Sequence, residues 1–393
     1  MRESNLLWVW LSLRPGLGPV KQRKLLDLAG SPAELYAAGE EALARMGISQ
    51  AARTALLDKS LDRPRRILQD CEALGITVLT PGADAYPAAL RRTADTPAVL
   101  YCLGRLPVSG ERPWIGLVGA RQADRRGLAL ARRFGAEIAA CGGLVVTGMA
   151  RGVDAAAAEG ALDQGGPVVG VLGSGADVVY PRENAQLFAR AAAQGCLLSE
   201  YPPGTAPDAR HFPARNRIIS ALSDGIVVIQ AGAESGALIT ARWAADQGRD
   251  VFSVPGPPEE PLSKGCNQLL RDGARLAESG LDVMREYAYR YPGTVRMQNA
   301  ECRMQNEGSG IRDQGSGTCS GIQCAPRDSA RPPVEGLTSE QRAIVAALEG
   351  GPMQLDALID KTGLPASQVL PQLTVLQIKK ILSQEPGKIY KLR

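Results

Sequence analysis

The fold is decided by the stretch Trp114-Ile115-Gly116-Leu117-Val118-Gly119-Ala120-Arg121, with the amphipathic segment Arg125–Ala140 that follows it. The first part is a short apolar run without polar alternation, the pattern of a strand buried on both faces. It stops at a glycine and a cation, and a segment of helical period then begins. The same unit recurs downstream. Strand candidates are Leu144–Thr147, Val168–Leu172, Leu197–Ser199, Ile226–Ile229 and Val251–Val254. Helical stretches between them include Ala155–Gln164, Asn184–Gln194 and Leu238–Gln247. Buried strands alternating with helices predict an α/β domain with a doubly wound, mainly parallel sheet and right-handed crossovers.

In such sheets ligands sit beyond the carboxyl ends of the strands. Those ends read Gly119-Ala120-Arg121, Gly148-Met149-Ala150-Arg151-Gly152-Val153-Asp154, Gly173-Ser174-Gly175, Ser199-Glu200-Tyr201-Pro202-Pro203-Gly204 and Ser235-Gly236-Ala237-Leu238-Ile239-Thr240. A Pro-containing loop, His211-Phe212-Pro213-Ala214-Arg215-Asn216-Arg217, is expected between the fourth and fifth strands. Glycine lets backbone amides approach an oxyanion, and a following helix N-terminus adds its dipole. Arginine supplies a planar fork matched to phosphate. Arg121, Arg151, Arg215 and Arg217 are therefore expected to converge on one rim suited to a phosphodiester backbone, with Phe212 among them to stack on a base. Each residue also has a plainer reading: a glycine that serves only its turn, Arg151 paired with Asp154, Phe212 in the core.

Catalytic patterns are missing from these ends. No Gly-x-Gly-x-x-Gly follows the first strand, and no Gly-Lys-Ser/Thr occurs. The single histidine, His211, has no serine or cysteine nucleophile motif beside it. A nucleotide phosphoribohydrolase of the "lonely guy" type would carry Pro-Gly-Gly-x-Gly-Thr-x-x-Glu, and Ala231-Gly232-Ala233-Glu234-Ser235-Gly236 lacks that spacing. The expectation is a binding protein that uses no cofactor and no metal.

The 393 residues allow two or three domains, and the net charge of +4 excludes a histone-like field while leaving room for a local cationic groove. Residues 1–70 read as a small helical domain, 71–287 as the sheet domain, 288–336 as a disordered linker poor in apolar residues, and 337–393 as a second small domain. The cysteines, Cys71, Cys102, Cys141, Cys196, Cys266, Cys302, Cys319 and Cys324, form no Cys-x-x-Cys pair and predict reduced thiols in the cytoplasm. No stretch approaches the ~18 apolar residues needed to cross a bilayer. The run Leu6–Trp10 breaks at Arg14-Pro15-Gly16 without a cleavage site, so it is not read as a signal peptide.

In the first domain, Leu13–Val20 contains Gly16-Leu17-Gly18 followed by Lys21, a helix-hairpin-helix pattern whose turn would offer amides to a phosphate. A weaker second copy lies at Met46-Gly47-Ile48, and a purely structural tight turn is the equal alternative. In the last domain, helices Ser339–Glu349, Leu355–Lys361 and Pro365–Gln377 precede strands Ile381–Ser383 and Ile389–Leu392, a winged-helix pattern. Its presumed recognition segment, Pro365–Gln372, has no Arg or Lys, which argues for protein contact or weak DNA contact. A winged-helix transcription regulator is the remaining alternative, and it would require tight duplex binding by 337–393.

Taken together, residues 76–280 resemble the DNA-processing protein A family (DprA, also called Smf). The elements that carry the resemblance are Gly119-Ala120-Arg121, Gly148–Asp154, Ser199–Gly204, Phe212–Arg217 and Ser235–Thr240, in order. The resemblance implies a Rossmann-like domain that binds single-stranded DNA, forms homodimers and loads the RecA recombinase onto the strand in natural transformation, and in DNA repair, without catalysis. Carried over by position, the pocket would use Gly119, Arg121, Gly148, Arg151, Phe212, Arg215, Asn216 and Arg217. Gly265-Cys266-Asn267 resembles a late Gly-x-Asn segment, with Lys264 and Arg271 adding charge. Ala120 stands where the family usually has serine, and Ala158 where it commonly has histidine.

Overall fold

The structure is a computed structural model that describes residues 3–297, 338–378, 381–385 and 389–392. The chain forms two compact units, divided between Ile311 and Arg312. The first opens with six helices: α1 (Glu3–Ser12), α2 (Pro19–Ala29), α3 (Pro32–Ala37), α4 (Glu40–Arg45), α5 (Gln50–Leu57) and α6 (Asp62–Ala73). Then come β1 (Ile76–Leu79), α7 (Ala88–Arg91) and β2 (Leu100–Gly104). The alternating region follows as β3 (Trp114–Gly119), α8 (Arg125–Ala140), β4 (Leu144–Thr147), α9 (Val153–Asp163), β5 (Val168–Leu172), α10 (Ala185–Gln194) and β6 (Cys196–Ser199). It continues through α11 (His211–Leu222), β7 (Gly225–Ile229), α12 (Gly236–Asp246), β8 (Asp250–Ser253), α13 (Lys264–Arg271), β9 (Arg275–Leu276) and α14 (Gly280–Tyr287).

The strands make one sheet in the order β1-β2-β6-β5-β4-β3-β7-β8-β9. From β6 to β9 every pairing is parallel, and β2 runs antiparallel to both β6 and β1. The expected doubly wound, Rossmann-like sheet is therefore present, extended by an antiparallel edge. Its strands are apolar throughout: each residue of β4, β5 and β7 is buried. Helix α8 starts where Asp124 caps it, its carboxylate accepting from the Gly127 amide at 2.7 Å. It buries Ala131, Phe134 and Ile138 against the sheet and α9. Successive crossovers β3→β4→β5→β6 move one way along the sheet, and β7→β8→β9 move the other. The order reverses between β3 and β7, the switch point at which open α/β sheets bind ligands.

Three findings revise the sequence reading. The segment 211–217 is no loop but the first half of α11; Pro213 sits in the first turn, where an amide has no intrahelical partner to lose. The boundary expected at residue 70 is crossed by a shared core: Val9 of α1 and Ile67, Leu68 and Cys71 of α6 pack with Ile76, Val99 and Tyr101. The start of the expected linker is folded. Tyr291 is buried and donates its hydroxyl to Asp224 at 3.1 Å, and the Arg296 amide donates to the Cys141 carbonyl at 3.1 Å. The rest of that segment lies outside the described residues, as do Cys302, Cys319 and Cys324. Cys71, Cys102, Cys141, Cys196 and Cys266 are buried and reduced, outside any disulfide.

The second unit has the winged-helix order: α15 (Ser339–Leu348), β10 (Met353–Gln354), α16 (Leu355–Thr362), α17 (Ala366–Ile378), β11 (Leu382–Glu385) and β12 (Ile389–Leu392). Its small sheet is antiparallel in the order β10-β12-β11. Thr338 and Gln341 form a capping box on α15, and Ile344, Leu348, Leu358, Val369, Leu373 and Leu376 build its core. Helix α17 carries Pro371 inside it. No helix among the described residues is long and apolar enough to cross a membrane.

Candidate nucleic-acid interface

A cleft of about 310 Å³ opens at the switch point, at the carboxyl ends of β3 and β7. Gly119 and Arg121 from β3, Asp154 from α9, Arg215 and Asn216 from α11, and Ser235, Gly236 and Ala237 at the start of α12 line it. Gly119 is required by close approach: a Cβ there would strike the Ile229 carbonyl and Val153. Helix α12 points its N-terminus into the cleft, with Ser235 accepting from the Ala237 amide, so the positive end of the helix dipole faces the space. Two residues other than glycine hold left-handed backbones at the strand ends on either side of β3, Met149 after β4 (φ 55°) and Gln230 after β7 (φ 49°). Such conformations cost about 1–3 kcal/mol and cluster where ligands are held.

The cleft floor is a buried charge pair. Arg215 is 4% exposed; its Nη1 donates to the Gly148 carbonyl at 2.8 Å and to the Val171 carbonyl. Burial pushes its pKa down to about 10, with the Asp154 charge pulling it back up, so it remains a cation at neutral pH. Burial lifts the Asp154 carboxyl above the usual range, opposed first by Arg215. Gly148 packs on both: a Cβ would lie 2.6 Å from the Arg215 Nη2 and 2.6 Å from the Asp154 carboxylate.

Beside this polar cleft lies a second compartment of about 310 Å³, lined by Arg121, Tyr180, Phe212, Pro213, Asn216, Gly236 and Ile239 among others. Arg121, Asn216 and Gly236 belong to both. The Arg121 guanidinium lies 5.1 Å from the Phe212 ring centroid, and Phe212 stacks on Tyr180 at 5.6 Å.

The expected single rim is thus divided. Gly119, Arg121, Gly148, Phe212, Arg215 and Asn216 come together. Arg151 does not line either compartment; its guanidinium is exposed and pairs with Glu183. Arg217 is turned away and buried, its Nε 3.1 Å from Asp95 and its Nη2 2.8 Å from Glu200. Lys264 and Arg271 line a different cleft, of about 480 Å³, with Arg242 and Asn267. Asn267 is occupied by the Gly256 backbone, whose carbonyl it bonds at 2.9 Å and whose amide it accepts at 3.2 Å. Helix α12 separates the clefts, with Leu238 facing one and Thr240 the other. At the N-terminal hairpin Gly16 is left-handed (φ 73°), Gly18 precedes α2, and Lys21 donates to the Gly16 carbonyl at 3.1 Å. Sequence reasoning did not name Asp154, Tyr180, Ile239 or Thr240 as site residues, although the strand-end segments Gly148–Asp154 and Ser235–Thr240 contain three of them.

The matches to known proteins agree with this architecture. Residues 77–288 match the family model described as DNA recombination-mediator protein A, and residues 328–388 match the DprA winged helix domain. The chain is 34% identical to the Synechocystis sp. protein Smf over 84% of its own length and 83% of that protein's. It is 38% identical to the Bacillus subtilis DNA processing protein DprA over 56% of this chain and 74% of that one. A crystal structure of DNA processing protein A from Streptococcus pneumoniae superposes with a TM-score of 0.63 at 31% identity, covering 72% of this chain and 97% of that one. DNA processing protein A from Helicobacter pylori, whose structure is described as giving a single-stranded DNA binding mode, matches at a TM-score of 0.50 and 28% identity over 55% of this chain and 97% of that one. Because the family model spans more than half of the chain, and the Smf relative is 34% identical over most of both chains, the chain belongs to the DNA recombination-mediator protein A family.

Proposed function

We propose that this protein binds single-stranded DNA in the switch-point cleft, works as a cytoplasmic homodimer through its Rossmann-like domain, and presents the strand to RecA in natural transformation and repair. It acts by binding, without catalysis. The observation that carries this reading is the cleft itself. The N-terminus of α12, Arg121 and the charged Arg215 line one cleft, and an aromatic compartment that shares Arg121, Asn216 and Gly236 with it lies alongside. That pairs a backbone-phosphate site with a surface for a base, as sequence-tolerant strand binding requires. The exposed hairpin turn at Gly16 and Gly18 with Lys21 adds a further backbone contact, and the α13 cleft with Lys264 and Arg271 extends the cationic surface.

The test is anisotropy titration of the full chain with single-stranded and duplex DNA of matched length, for wild type and Arg121→Ala. Wild type is expected to prefer the single strand. Arg121→Ala is expected to weaken binding to all sequences alike and to flatten the salt dependence by about 0.7 in log–log slope. Unchanged affinity in Arg121→Ala sinks the site assignment. Preferred, tight duplex binding would favour a transcription regulator, and release of free base from nucleoside monophosphates would favour a phosphoribohydrolase. Light scattering of the full chain tests the homodimer, and RecA filament assembly on a single strand with and without the protein tests loading.

A further inference from the structure

We infer that the base-stacking surface of this site is the exposed ring of Tyr180, with Ile239 beside it, and not Phe212. The inference rests on the single-strand reading above and names the residue that would hold a base.

Phe212 looks like the natural platform because it stands among the arginines in sequence. Its ring is already engaged, by the Arg121 guanidinium at 5.1 Å and by Tyr180 in a stack at 5.6 Å and 25°. The free aromatic surface in this compartment belongs to Tyr180, which is 42% exposed while Phe212 packs beneath it. Ile239, 37% exposed, lines the same space. Large apolar side chains left open beside a cationic cleft are the arrangement a nucleotide fits, phosphate in one compartment and base in the other.

Tyr180 is also held in place before any ligand arrives. The Asn184 side chain donates to the Met149 carbonyl at 3.2 Å and to the Ala150 carbonyl at 3.4 Å. The pair between Glu183 and Arg151 adds a second tie to the same β4 turn. Arg151 therefore acts on the segment that carries Tyr180 rather than on a phosphate. The remaining wall, Pro207, Ala209 and Pro213, has no side-chain donor or acceptor to read a base edge. The polar side chains at its edge, Arg121 and Asn216, are engaged by Phe212 and by Arg215 and Gly236, so stacking there should accept any base.

The test uses the full chain and two single-stranded probes of about 15 nucleotides: oligothymidylate, and an oligonucleotide of the same length whose sugars are abasic. Wild type is expected to bind oligothymidylate about 5- to 100-fold more tightly than the abasic strand. Tyr180→Ala should lose most of that ratio while keeping the wild-type affinity for the abasic strand, and Tyr180→Phe should keep the ratio. An equal loss on both probes in Tyr180→Ala would mean that the ring only supports Phe212 and Arg121, and the inference falls. A ratio unchanged in Tyr180→Ala overturns it as well. If wild type binds neither probe, the single-strand reading itself fails, and the two failures are told apart. Thermal unfolding of each variant confirms that the fold persists.

Discussion

Replacing Arg217 with methionine separates a buried tie from a phosphate ligand. In the fold Arg217 is 7% exposed and bridges Asp95, in the segment after α7, to Glu200, at the end of β6. It sits on α11, the helix that delivers Phe212, Arg215 and Asn216 to the cleft. Removing the cation leaves two largely buried carboxylates facing each other, with side-chain exposures of 16% and 19%. Breaking such a pair costs about 3–5 kcal/mol, because the remaining charge has no partner. Burial already raises the Glu200 carboxyl, and Arg217 is the main influence holding it down. Without Arg217 the folded-state pKa climbs further above the unfolded value, so the folded variant takes up a proton first. Its deficit relative to wild type is therefore largest at alkaline pH and shrinks as pH falls through the raised pKa. Urea unfolding followed by tryptophan fluorescence at several pH values measures the deficit. DNA titrations across a salt series measure the ligand count. The expected slope of log K against log salt equals that of wild type. A slope lowered by about 0.7, with the urea midpoint hardly moved, would show a phosphate contact and refute the reasoning. Arg217→Lys should fall between the two, since an ammonium cannot fork to both carboxylates.

Gly148→Ala places a methyl 2.6 Å from both Arg215 and Asp154. The pair must shift, so stability should fall by about 1–3 kcal/mol and strand affinity more than tenfold; calorimetry and anisotropy check each, and a wild-type affinity would show that the pair is not part of the site. Asp154 predicts a pH effect. Its folded pKa is raised by burial, so the folded state holds the proton more tightly, and the associated stability is present at low pH and lost as pH rises through the folded pKa. Protonation also removes the anion that offsets Arg215, so strand affinity should rise as pH falls through the raised Asp154 pKa. Asp154→Asn should abolish that rise; a rise that survives in the variant refutes the assignment to Asp154.

The parallel strands were legible because burial on both faces leaves nothing but short apolar runs between glycines. Trp114–Gly119, Leu144–Thr147 and Val168–Leu172 appear in the fold within a residue of where the pattern places them. The antiparallel edge was not. Ile76–Leu79 is partly exposed; at the opposite, parallel edge β9 escaped as well, being two residues long and too short for any periodicity to show. The glycine–arginine strand ends located the site, since only that end of the sheet collects the β3, β4 and β7 turns. What the strand ends could not convey was the direction of each arginine.

That direction was present in the sequence, in a form that a loop assignment hides. Residues three and four apart on a helix share a face, and residues two apart do not. Once 211–222 is a helix, Phe212, Arg215, Asn216 and Ile219 form one stripe at i, i+3, i+4 and i+7, and these four line the two compartments. Arg217 stands two residues from Arg215 and so must leave that face; it is driven to the side where Asp95 and Glu200 wait. The error over Arg217 and the error over the loop are one error. Pro213 fits the helix because in the first turn a proline costs no intrahelical hydrogen bond. The same periodicity explains why the cleft needs both neighbours in the Arg215-Asn216 pair. Arg215 points down into the protein to hold the Gly148 and Val171 carbonyls, and Asn216 stays at the exposed lip shared by the two compartments.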